Sequence, residues 1–243
     1  MAGAPLIDIA ALLVVAVVTY CVAAGGAVEA GIVLLCTLFG GILATNFYEP
    51  LAALMDGTSA VGRSADVIAF LVLFGGLTTL ARLACEFMSP VYVNVDATAH
   101  EVGRWVCSLL TGYATAAVLM VGLHVSALPR EFLGFSPERP GLFGIPTFAP
   151  DRQWLGLMQY LTEKPFNSGP GQVFDGRSAA QYGIEVFDEA GRPLNANEAL
   201  FPSFVIRHAD RRAAYSGGVG VSGGGLPADD FAPASSGSGR SAL

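Results

Sequence analysis

Four long apolar runs fill most of the first 125 residues. They are 6–24 (LIDIAALLVVAVVTYCVAA), 30–47 (AGIVLLCTLFGGILATNF), 67–88 (VIAFLVLFGGLTTLARLACEFM) and 102–125. A helix needs roughly 20 residues to cross the hydrocarbon of a bilayer. All four runs meet that length, the second narrowly. Buried helices of a soluble bundle would keep a polar stripe, whereas these are apolar on all faces. Pro50, Pro90 and Pro129 are expected to stop the second, third and fourth helices.

Composition agrees with a bilayer as solvent. Of 243 residues, 53% are hydrophobic and 14% charged, against about a quarter charged in a soluble domain. The mean hydropathy is +0.54. As far as His124 there are eight acidic residues and three basic ones, Arg63, Arg82 and Arg104. The net charge of −7 argues against nucleic acid, which needs a basic face. Cys21, Cys36, Cys85 and Cys107 all lie in apolar runs without CxxC spacing. They are expected to be small buried hydrophobes, with no zinc site and no disulfide framework. The N-terminus lacks the basic region of a secretory signal, so the first run is expected to be a retained span.

These features predict an all-α integral membrane protein with four transmembrane helices in two hairpins, occupying residues 1–128. The connection around Gly25 and Gly26 predicts a tight first hairpin. The next connection, YEPLAALMDGTSAVGRSAD, is expected to hold a short interfacial helix. Residues 129–214 are expected to be a small, mixed or irregular extramembrane region. There, PDRQWLGLMQYL begins with a Pro-Asp helix start. It carries Trp154, Leu157, Met158 and Leu161 at spacings of three and four, one face of an amphipathic helix. YGIEVFDEAGRPL reads as a short β-hairpin, and the Gly- and Ser-rich residues 215–243 as a disordered tail.

Without water to drive them together, membrane helices associate through small residues. LFGG occurs twice, at 38–41 and 73–76. Gly40, Gly41, Gly75 and Gly76 are therefore the expected crossing of the second and third helices. Ser108, Gly112 and Ala116 repeat at four along the fourth.

The charges near the spans are the candidate site. Counting spans puts Glu29, Arg82, Glu86 and Arg104 on one membrane face. Arg82 lies six residues inside its helix, roughly 9 Å at the helical rise. An arginine within the bilayer costs about 2.5–3.5 kcal/mol on insertion scales, so it seeks a partner. Glu86 is one turn away and Glu29 is available from the second helix. Two acids and two bases could form a nearly neutral structural clasp, snorkel singly to the headgroups, or line a polar pocket for an ion or substrate. No catalytic constellation, no phosphate-binding loop and no metal-ligand spacing is present in the sequence. His124 ends the fourth run, where a histidine is expected to meet the interface.

Over residues 6–128 the chain resembles the bacterial colicin V production protein family. That family's first turn reads roughly G-F-x-R-E. Here GGAVEA keeps Gly25 and Glu29 and has Val28 for the arginine. The family's fourth span opens on an Asp-Arg pair with glycines spaced along it. Here HEVGRWVCSLLTG keeps Gly103 and Gly112, with His100 and Glu101 at the pair and Arg104 in place of the missing base. PDRQWLGLMQYL and ADRRAAY look like the family's long form. The resemblance implies a multi-pass protein of the bacterial inner membrane serving toxin production, export or envelope maintenance, without implying a particular biochemical activity; the missing enzyme signatures make a non-enzymatic role without a cofactor the expectation. A small transporter or channel subunit using the charged cluster, and a membrane scaffold recruiting a partner through its C-terminal region, are the alternatives. The expected partners are the lipid bilayer and, beyond it, further copies or other membrane proteins. The distribution of arginines leans towards cytoplasmic termini.

Overall fold

The computed structural model describes residues 4–55, 64–88, 96–126, 128, 141–145, 148–166, 174, 204 and 208. Four long helices form the body: α1 (Ala4–Ala23), α2 (Ala27–Met55), α3 (Ala65–Met88) and α4 (Ala97–Val125). All four are long and apolar enough to cross a membrane. A 3-10 turn, Leu142–Gly144, and a shorter helix, α5 (Pro150–Glu163), follow. There is no strand among the described residues. Over the described residues the chain is an all-α, multi-pass membrane protein. The expected hairpin at 182–194 and the tail at 215–243 lie outside the described residues.

The join of α1 to α2 takes three residues. Gly26 has φ +98°, a left-handed conformation that glycine adopts without a Cβ penalty. At Gly25 a side chain would occupy the space taken by the Glu29 carboxylate. The two glycines thus let the chain reverse and let Glu29 fold back over the turn. The start of α4 is capped by Asp96, whose carboxylate accepts the Thr98 N–H at 3.1 Å, satisfying one orphan donor of the first turn.

Two expectations about α2 need correction. Pro50 does not stop it; the helix continues to Met55. Proline removes one intrahelical hydrogen bond, and that loss falls in the last two turns, near the polar boundary. What was expected as a separate interfacial helix is, as far as residue 55, the end of α2.

The packing is not that of two self-contained hairpins. α1 packs mainly on α4, α2 packs on both α3 and α4, and α1 touches α2 only slightly. Gly112 explains the first pairing. A Cβ there would meet the Val15 carbonyl at 2.6 Å and the Thr19 hydroxyl at 2.6 Å. Thr19 in turn donates to the Ser108 carbonyl at 3.3 Å. Gly40 lies directly against Thr78, so α2 and α3 do approach closely. Gly75 and Gly76, however, meet nothing within 4 Å and face outward. The crossing therefore rests on Gly40 and Thr78, not on paired glycines, and Gly41 serves a different neighbour, described below. Of the cysteines only Cys36 is buried; Cys21 is exposed, Cys85 and Cys107 are half-buried, and all four are free.

The bundle has two ends. The turn end carries the α1–α2 connection and the start of α4. The docking end carries the start of α1 and the end of α4, and α5 packs there. A single core joins Tyr48, Phe70, Val118 and Val121 of the long helices to Trp154, Leu155 and Met158 of α5.

Candidate functional site

At the turn end, Arg82 joins two helices. Its Nη2 donates to Glu29 Oε1 at 2.5 Å and its Nε to Glu86 Oε1 at 2.8 Å. Each of the three side chains is roughly half exposed. In water such pairs contribute about 0–1 kcal/mol. Near the bilayer edge the alternative is an unpaired arginine facing lipid, which costs more. Glu29 thus supplies α3 with a counter-charge from another helix.

Arg104 does not join this group. Its Nη2 donates to Glu101 at 3.0 Å, one turn back on its own helix. Its guanidinium also lies 5.4 Å from the Trp105 ring, within the range of cation–π attraction. The expected neutral set of two acids and two bases is therefore a triad, Glu29–Arg82–Glu86, carrying one net negative charge. It lies on the outer surface of the helices, and its charges are spent on each other. Beside it, His100 Nε2 accepts the Ala27 N–H at 3.4 Å and so ties the start of α4 to the start of α2.

The docking end holds charge differently. His124 Nε2 lies 2.8 Å from Asp151 Oδ2, with side-chain exposures of 1% and 9%. His124 was expected to meet the membrane interface, but α5 covers it. Burial alone would raise the Asp151 carboxyl. The hydrogen bond and charge of His124, with the Arg152 backbone N–H and guanidinium, outweigh that and hold it below its ordinary value. Asp151 also stands in the first turn of α5, after Pro150, where the helix dipole favours an anion.

Further polar contacts surround this pair. Trp154 Nε1 donates to the Thr45 hydroxyl at 3.1 Å, and Gly41 leaves the space that the Trp154 ring and Val118 fill. The Tyr113 hydroxyl donates to Gln153 Oε1. Tyr48 donates to Glu49 at 3.0 Å and lies 3.2 Å from His208 Nε2. His208 Nδ1 donates to the Phe204 carbonyl at 2.9 Å. Phe174 and Phe204, which belong to 129–214, pack into the bundle core, and His208 of the same stretch is buried beside Phe204.

The inward face of α5 differs from the expected one by one residue. Trp154, Leu155 and Met158 are buried, while Leu157 is 37% exposed. Burying each such side chain contributes roughly 1.5–3 kcal/mol relative to leaving it in water. Among the described residues, no group of three or more His, Cys, Asp and Glu is placed to hold a metal ion.

No protein-family model, curated protein or solved structure matches this chain.

Proposed function

We propose that this chain is a non-enzymatic multi-pass component of the bacterial inner membrane. Its work is toxin production and export or envelope maintenance, as in the colicin V production family, and it acts as a scaffold whose C-terminal segment is built into the bundle. The observation that carries this reading is the buried His124–Asp151 pair fixing α5 to α4. A transporter needs polar groups along an accessible path. Here the charges at the turn end are paired on an outer surface, and the polar groups at the docking end are enclosed between α2, α4 and α5 rather than set along an open path. α5, by contrast, is held rigidly and turns Gly156, Leu157 and Tyr160 outward, a surface suited to a partner protein or the headgroup layer.

The test compares two sets of changes in cells that depend on this chain, with toxin release and envelope permeability as readouts and immunoblotting to confirm protein level. Asp151→Asn, which weakens the docking of α5, is expected to abolish both functions. The combination Glu29→Gln, Arg82→Gln and Glu86→Gln is expected to retain them. The opposite pattern would favour transport through the charged triad and defeat the scaffold reading.

A further inference from the structure

A groove runs along the docking-end half of the bundle, between α1 and α3, with α4 as its floor. Ile7, Ala10 and Val14 form one wall, Val67 and Leu71 the other, and Leu119 stands on the floor. It has a volume of about 230 Å³, and each residue that lines it is apolar or glycine. All three stretches fall inside the membrane-spanning segments.

The gap is built so that it cannot close. α1 is held to α4 by the approach of Val15 to Gly112, and near its start Asp8 accepts the Phe143 N–H at 2.8 Å. Leu142 packs on Ala11 and Met120 from the same side. α3 is held independently: Phe70 and Phe74 are in the main core, and the Phe70 ring lies against Gly122 of α4. Moving either wall towards the other would break its own packing. Water does not fill such a gap, because a buried water needs two to four polar partners and the lining offers none. Left empty, the lining would lose its dispersion contacts on one side.

The size selects the occupant. From Ile7 to Val14 the groove runs seven residues, roughly 10 Å at the helical rise. A helix about 10–12 Å across does not enter a volume of this size. The walls are also far smaller than the roughly 800 Å² per partner that a stable dimer buries, so the groove is not an interface between copies. A thin, unbranched, wholly apolar chain does fit, and the bilayer presents such chains at this depth. We propose that the groove is a binding site for one acyl chain of a membrane phospholipid, held as a resident molecule and distinct from the lipids that exchange freely around the helices.

The full-length protein, reconstituted in phosphatidylcholine nanodiscs carrying a mid-chain diazirine phospholipid, tests this. After illumination, label is expected on the α1 and α3 peptides at Ala10 and Leu71, at one lipid per chain. Ala10→Trp and Leu71→Trp fill the groove from opposite walls, and each is expected to abolish that label. Ile9→Trp and Val72→Trp place the same ring on neighbouring outward positions and are expected to leave it intact. Co-purification of one phospholipid, read by native mass spectrometry, should follow the same pattern. Two wall variants guard against one failing to fold, and the elution profile of each checks this. Label spread evenly over the outward positions, label unchanged in both folded wall variants, or crosslinks between copies at Ala10 and Leu71 would each overturn the proposal.

Discussion

At the turn end, Arg82 lies between Glu29 and Glu86 with all three side chains roughly half exposed. At the docking end, His124 and Asp151 meet with almost no exposed surface. Both contacts are short, yet they do different work. Taking the three turn-end groups away together removes a requirement along with its solution, because the arginine creates the need that the carboxylates meet. Removing one member of the buried pair leaves the other enclosed without its partner, which costs about 3–5 kcal/mol. The buried pair therefore acts chiefly as a selector: α5 fits in one register, and alternatives are heavily penalised.

The comparison can be broken most directly at the buried pair. Asp151→Asn is expected to destabilise the docked state by about 3 kcal/mol or more, seen as a lowered thermal midpoint in detergent and faster tryptic cleavage after Arg152. Removing both charges, with His124→Phe and Asp151→Leu together, should cost less than the sum of the single changes. Additive losses would mean the pair is not coupled.

A smaller effect, of about 1–3 kcal/mol for overpacking, is expected from Gly41→Leu, because the Trp154 ring and Val118 already fill that space. Gly75→Leu should leave the midpoint unchanged, since open space surrounds Gly75. Equal effects at the two glycines would show that α5 does not pack where the structure places it.

Acid sharpens the contrast further. The Asp151 carboxyl is held below its ordinary 3.8 in the folded protein. A group whose folded pKa is depressed contributes fully above its unfolded value and loses that contribution as pH falls through the folded one. The Asp151 contribution to the docking of α5 is therefore expected to be complete above about pH 4, and to weaken below that. Hydrogen exchange of the α5 amides measures it, and Asp151→Asn should remove the acid limb.

The smallest effect belongs to the turn end. Glu29→Gln is expected to cost less than about 1 kcal/mol, and Arg82→Gln should partly restore it. A double-mutant cycle should find coupling between positions 29 and 82 and none between 29 and 104. The reverse would place Arg104, not Arg82, beside Glu29.

The spans, the glycine turn and the shared membrane face of Glu29 and Arg82 were legible in the sequence, because length, hydropathy and the counting of crossings decide them. Which helix packs on which was not. A helix that is apolar on all faces does not announce its inner side, so nothing in α1 says that it belongs with α4. Gly40–Gly41 and Gly75–Gly76 have the same local sequence, yet one pair is packed and the other faces outward. Leu155 and Leu157 pose the same ambiguity on α5, where a shift of one residue changes the buried face. His124 was the most hidden, since its partner lies 27 residues further on. The only signal was an acidic helix start, Pro150–Asp151, following a span that ends on a histidine.

The pairing of α1 with α4 also has a consequence in time. α1 leaves the ribosome before α4, and the residues it packs on, Ser108 and Gly112, come about a hundred positions behind its start. At 5–20 residues per second, the stretch from Ala23 to Val125 takes roughly 5–20 s to synthesise. During that interval α1 has only the three-residue turn to α2 and the surrounding lipid to keep it in place. The glycines at 25 and 26 therefore act as a tether during assembly as well as a bend in the finished protein. α1 docks only after α4 has been inserted, so it finds its place later than its position ahead of α2 and α3 would suggest.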